Sequence, residues 1–163
     1  TRVRSSAASD VYKRQDIVIF DLDGTLANIQ DRIKHCSIKD GKLDWEKFYN
    51  PDFIEYDKPN PDIIELNRSL HKSGYEIHIL SGRSDRTREA TEKWLYDNEV
   101  DYHHLMMRDE ENIYLKDSEL KRGWLNKFYK KEYILFVVDD RKQVVDMWRE
   151  EGLTCLQVAE GNF

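Results

Sequence analysis

Asp21 and Asp23 stand two positions apart at the end of the apolar run Ile17-Val18-Ile19-Phe20, and Gly24 and Thr25 follow them. The run reads as a short buried strand. Side chains alternate along a strand, so residues i and i+2 share a side. Both carboxylates are therefore expected together where the strand ends. Two like charges that close repel and raise a pKa unless something positive lies between them. A hard cation such as Mg2+, which prefers carboxylate oxygens, meets that need.

Two further strand ends carry chemistry. Ile77-His78-Ile79-Leu80 runs into Ser81-Gly82-Arg83, a hydroxyl followed by a glycine that lets backbone approach an anion. Exposed N–H groups in such a turn can hold phosphate oxygens. Tyr133-Ile134-Leu135-Phe136-Val137-Val138 delivers Asp139, Asp140 and Arg141. Alone, that triplet also suits a helix N-terminus, where acids cap and face the dipole.

The elements that must position these groups follow a simple rhythm. Strands are expected near 17–21, 75–80, 103–107, 134–138 and 153–158, and helices near 61–72, 87–97, 117–130 and 141–151. Asn60-Pro61 reads as a helix start and Gly74 and Gly152 as residues just past helix ends. Short continuous apolar strands suit a sheet covered on both faces. Strand–helix alternation predicts an α/β fold, a doubly wound, Rossmann-like parallel sheet of about five strands. The polar and aromatic stretch 28–59 breaks the rhythm and includes Asp44-Trp45-Glu46-Lys47-Phe48-Tyr49.

At 163 residues, 36% of them charged, the chain fits one soluble domain with a core of its own. Mean hydropathy is -0.80. No apolar run approaches the roughly 18 residues of a membrane span, and no secretory signal is visible. Cys36 and Cys155 make no disulfide framework, which favours a reducing cytoplasm, with Cys155 as a core thiol. Residues 1–15 are Ser/Ala/Arg-rich, lack periodicity and resemble translated sequencing-adaptor sequence. They read as a non-native leader before a domain spanning 16–163. The leader holds four basic residues and one acidic residue, so the chain's net charge of -6 becomes -9 without it. Such a domain is no general polyanion binder, and any nucleic-acid contact must come from a local basic pocket.

Asp21-x-Asp23-Gly24-Thr25 after an apolar strand resembles the first motif of the haloacid dehalogenase (HAD) superfamily of aspartate-nucleophile phosphotransferases. Ser81-Gly82 and Asp139-Asp140 resemble its second and fourth motifs. The resemblance implies that 28–59 is a small cap inserted after strand 1, leaving an open site that suits a large substrate. It also implies a lysine at the phosphate. Lys121 is favoured over Lys116, because Asp117 lies four residues before it on one helix face and could orient the ammonium.

Arg32, Ser81-Gly82-Arg83, Asp117-x-x-x-Lys121, Asp139-Asp140-Arg141 and the C-terminal string from Gln143 to Phe163 resemble the 3′-phosphatase domain of phage polynucleotide kinase-phosphatases. The likeness implies that Asp21 is the nucleophile, Asp23 the general acid and base, and Lys121 a third catalytic group. It implies phosphate or substrate contacts from Thr25, Arg32, Ser81, Gly82, Arg83 and Asp117. It places Mg2+ on Asp21, Asp23 (through its carbonyl), Asp139 and Asp140. The substrate would be a nucleic-acid 3′-phosphate end, in a phage protein of a bacterial cytoplasm. The kinase loop Gly-x-x-x-x-Gly-Lys-Ser/Thr does not occur, so no kinase activity is expected. The chain reads as a stand-alone phosphatase or the C-terminal piece of a longer protein.

The rival within the same chemistry is a 5′(3′)-deoxyribonucleotidase acting on free nucleotides. A phospho-receiver module would carry its aspartate after the third strand, where Met106-Met107-Arg108 stands instead. A non-catalytic HAD-like binding module is disfavoured because every chemical position is filled. Cys36, His35, His103 and His104 fit no zinc spacing. His103 and His104 are expected one buried and one exposed in a strand. Met147 and Trp148 are expected on an amphipathic helix packed against the sheet.

Overall fold

The computed structural model describes residues 16–161. The stretch 1–15, read above as a foreign leader, lies outside the described residues, as do Asn162 and Phe163. Strand β1 (Ile17–Phe20) is followed by a two-residue strand β2 (Ala27–Asn28), which pairs antiparallel with β3 (Lys58–Pro59). Strands β4 (Glu76–Ser84), β5 (His104–Arg108), β6 (Ile134–Arg141) and β7 (Cys155–Gly161) follow. The main sheet has the order β5-β4-β1-β6-β7 with every pairing parallel. The expected five-stranded parallel α/β sheet is therefore present, with β1 at its centre.

Strand β1 is apolar throughout because both of its faces are covered. Val18 and Phe20 join one core cluster, with Leu95 and Ile54, while Ile19 joins the other, with Trp148 and Leu125. The period-2 alternation of a strand divides its residues this way. Helices α1 (Gln30–Cys36) and α2 (Trp45–Phe48) lie in the stretch 28–59, whose ends β2 and β3 join. That stretch is tied down by Ile29, Cys36, Phe48 and Ile54, all buried in the first cluster.

Four longer helices flank the sheet: α3 (Pro61–Lys72), α4 (Arg88–Asp97), α5 (Asp117–Phe128) and α6 (Lys142–Glu150). These match the expected helices to within about two residues. Pro61 stands in the first turn of α3, as Asn60-Pro61 predicted, but the Asn60 side chain does not cap the helix. Its amide donates instead to the Thr25 carbonyl at 2.7 Å, tying α3 to the loop after β1.

One expectation needs correction. His103 and His104 are both exposed, because strand β5 begins at His104, before the sheet face becomes covered. The cysteine and histidines named above do not gather: Cys36 is buried, His35 stacks on Tyr56 at 4.0 Å, and His104 sits beside Glu76 and His78. Cys155 is a buried thiol in β7, and burial pushes its pKa up to about 12.

Candidate active site

Asp21 follows β1 directly, and its backbone N–H donates to the Val138 carbonyl at 2.9 Å. The strand pairing thus continues one residue and brings Asp21 beside Asp139 and Asp140 near the end of β6. Carboxylate oxygens of these three buried residues lie within 4.8 Å of one another. Lys121, on α5, reaches into the cluster. Its ammonium donates to Asp21 Oδ1 at 2.6 Å and Asp139 Oδ2 at 3.1 Å, and lies 3.4 Å from Asp117 Oδ2. Asp117 and Lys121 are four apart on α5, so one helix face presents both.

The electrostatics follow from this crowding. Burial raises the Asp21 pKa well above its ordinary value; Lys121 opposes that, while Asp139 and Asp140 add to it. Asp140 is pushed up to about 6, by burial first and Asp139 second. Burial works against the Lys121 ammonium, but Asp117, Asp139 and Asp21 override it and raise its pKa. One ammonium among these carboxylates leaves excess negative charge. The donors are hard oxygens on fixed strand ends, so the residues fit a hard divalent cation.

Neighbouring side chains orient the acids. Thr25 Oγ1 donates to Asp140 Oδ1 at 3.3 Å, and Trp148 Nε1 donates to Asp139 Oδ2 at 3.3 Å. Gly24 has φ +92°, and a Cβ there would lie 2.2 Å from Asp140 Oδ2. The glycine after Asp23 is thus required twice, by its backbone and by the carboxylate against it.

Asp23 turns the other way. Its Oδ1 accepts from Arg32 at 2.8 Å and from Arg83 Nε at 2.8 Å. Burial would raise its pKa, but Arg32 and Arg83 together bring it down to about 2. Both arginines also pair with Asp57, Arg32 at 3.0 Å and Arg83 at 2.6 Å. Asp57 is buried, and burial and the charge of Asp23 push its pKa up to about 7. Two carboxylates thus share two arginines, and one ionises far more readily than the other.

Strand β4 changes register between Ser81 and Ser84. Ser81 Oγ accepts from the Arg83 N–H at 3.2 Å within that irregularity. A Cβ on Gly82 would lie 2.4 Å from Asp117 Oδ1. Glycine therefore lets Asp117 close over the β4 turn, where Arg108 Nη2 faces it at 3.5 Å. A cavity of about 990 Å³ opens here, lined by Asp21, Asp23, Gly82, Arg83, Asp117 and the Asp139-Asp140 pair.

The family of polynucleotide kinase PNKP phosphatase domains matches residues 15–163. The chain belongs to that family. A chain of the Pnkp1/Rnl/Hen1 complex is 36% identical, with a TM-score of 0.76 over 91% of this chain and 48% of that one. A second structure, of the Pnkp1/Rnl/Hen1 RNA repair complex, is 36% identical, with a TM-score of 0.72 over 90% of this chain and 43% of that one. The PNKP-type domain described here spans about half the length of those chains. The class C acid phosphatase from Bacillus anthracis shares the fold at 18% identity and a TM-score of 0.64, over 97% of this chain and 72% of its own. The domain is thus of the HAD phosphatase type.

Within this PNKP-type phosphatase domain, every residue expected at the site falls in one neighbourhood. Arg32, Thr25, Ser81 and Lys121 lie buried behind the cavity wall. The Thr25 hydroxyl faces Asp140, and the Asp23 carboxylate stands apart from the three-acid cluster. Lys116 lies at the cavity edge, while Lys121 reaches the acids. Sequence reading missed Asp57, which sits in an irregular stretch with no motif around it. It read Trp148 only as packing, whereas its indole N–H also holds Asp139. No helix among the described residues is long and apolar enough to cross a membrane.

Proposed function

We propose that this domain is a Mg2+-dependent phosphomonoesterase that removes 3′-phosphates from DNA or RNA ends. The observation that carries the reading is the position of Asp21. It lines a large cavity, held by Lys121, beside Asp139 and Asp140, with Arg83 in the same lining. Family membership and the RNA-repair setting of the Pnkp1/Rnl/Hen1 relatives support a polynucleotide end as substrate.

In this mechanism Asp21 Oδ attacks phosphorus in line, and the bond to the 3′-oxygen breaks as an aspartyl-phosphate forms. Asp23 protonates the departing 3′-oxygen and then takes a proton from the water that hydrolyses the intermediate. Asp23 is held ionised near pKa 2 by Arg32 and Arg83, so it must first be loosened to act as an acid. A phosphate that engages Arg83 draws the guanidinium away and lets the Asp23 pKa rise. Lys121, Ser81 and the Gly82 backbone face charge developing on the equatorial oxygens. Asp21, Asp139, Asp140 and the Asp23 carbonyl would hold Mg2+, which when bound shields the nucleophile from the anionic phosphate. Asp57, which also pairs with Arg32, anchors Arg83, and Asp117 lies beside Lys121.

The test compares phosphate release from a 3′-phosphorylated oligonucleotide and from deoxynucleoside 5′-monophosphates, with Mg2+ and with EDTA. Strong preference for the oligonucleotide supports the reading. Preference for free nucleotides assigns the same fold and chemistry to a deoxyribonucleotidase.

A further inference from the structure

The cavity of about 990 Å³ is far larger than a phosphoryl group needs and matches sites that enclose whole ligands. Away from the acids its lining turns apolar, with Ile33, Leu43, Trp45, Tyr49, Tyr114 and Leu115. Three of these are open to solvent: Trp45 at 57%, Tyr114 at 96% and Leu115 at 41%. Single exposed apolar side chains are ordinary, but several around one cavity mark a binding surface.

Trp45 also has aromatic neighbours. Its ring stacks on Tyr49 at 5.7 Å and 24°, and meets the edge of Phe48 at 5.6 Å and 77°. Phe48 in turn lies under the Arg32 guanidinium, 4.4 Å from its centroid. The aromatic group is thus fastened to the arginine that holds Asp23. Although the chain carries net charge -6, Arg86, Arg108 and Lys116 line the same cavity. A flat aromatic surface beside cations is what a single-stranded nucleic-acid end requires.

We propose that Trp45, backed by Tyr49, is the stacking platform for the nucleobase of the nucleotide that bears the 3′-phosphate. The proposal rests on the 3′-phosphatase reading above and names how that substrate is held. Stacking uses the π-face that every base has, so the platform selects for a polynucleotide end and not for its sequence.

The test is a double-mutant cycle between enzyme and substrate. KM and kcat are measured for wild type, Trp45→Ala and Trp45→Phe on two 3′-phosphorylated oligonucleotides, one with a normal terminal base and one abasic there. Glycerol phosphate reports the phosphate chemistry alone. Trp45→Ala is expected to raise KM about tenfold on the normal end, the scale of one base–aromatic stack, and far less on the abasic end. Trp45→Phe should recover most of the loss. An equal effect on both ends, or none on either, overturns the platform while leaving the 3′-phosphatase reading intact. Hydrolysis of glycerol phosphate with neither oligonucleotide turned over would overturn that reading, and the platform with it.

Discussion

Lys121 Nζ lies 2.6 Å from Asp21 Oδ1, across 100 positions of sequence, and both side chains are buried. Helix α5 and the end of β1 bring the two together. An ammonium there opposes burial, Asp139 and Asp140, which together still keep the Asp21 pKa raised. Removing one partner of a buried ion pair costs about 3–5 kcal/mol. Lys121→Met should therefore lower the melting temperature of the metal-free protein by many degrees. Mg2+ should restore part of that loss and stabilise the variant more than wild type. Thermal unfolding with and without Mg2+ checks this, and an equal Mg2+ shift in both proteins would count against a cation site at these acids.

Gly24→Ala should damage the same cluster from the other side. The positive φ strains any side chain, at about 1–2 kcal/mol, and the new methyl must displace the Asp140 carboxylate. Calorimetric Mg2+ titration should show at least tenfold weaker binding. Wild-type affinity in this variant would place the cation elsewhere.

Asp57 is expected to act through the arginines it anchors. Asp57→Ala should reduce kcat at least tenfold because Arg83 loses its fixed position at Asp23. The pH dependence has a definite sign. The folded pKa of about 7 lies above the ordinary carboxylate value near 3.9. The folded state therefore holds the extra proton between about pH 4 and 7, and Asp57's contribution to stability falls as pH rises through that window. Asp23, at about 2, has the opposite sign: its contribution is present above about pH 4 and fades as pH drops toward 2. Urea unfolding from pH 4 to 7 should show a shallower decline in Asp57→Asn than in wild type. Identical slopes would contradict the shared-arginine arrangement.

Much of this site was legible in the sequence because its parts sit at strand ends. Asp21, Ser81 and Asp139 each close an apolar run, and the resemblance to the HAD motifs tied those strand ends to one site. Lys121 became readable through Asp117, one helical turn before it. Asp57 did not, because it lies between a 3-10 turn (51–56) and the two-residue β3, with no period to predict its direction. Only tertiary packing shows that it faces Arg32 and Arg83. The alternation rule placed Asp21 and Asp23 together, but the chain leaves strand geometry after Phe20. That turn sends Asp23 to the arginines and Asp21 to the acids. Asn60 gave a correct helix start for a partly different reason, since its amide serves the Thr25 carbonyl.

Cation binding should itself be pH-dependent. Asp140, at about 6, and Asp21, also raised, must lose protons to ligate. Mg2+ affinity measured by calorimetry should fall by about tenfold or more per unit as pH drops below about 6, because at least the Asp140 proton must be displaced. No change between pH 7.5 and 5 would mean these carboxylates are not the ligands.

The central claim is that Asp21 takes the phosphoryl group from a nucleic-acid 3′ end. A rapid-quench experiment with an oligonucleotide carrying a radiolabelled 3′-phosphate tests it most directly. The account predicts transient acid-stable label on the peptide containing Asp21, followed by free phosphate, and neither in Asp21→Asn. Phosphate release without labelled protein, or undiminished turnover by Asp21→Asn, would contradict it.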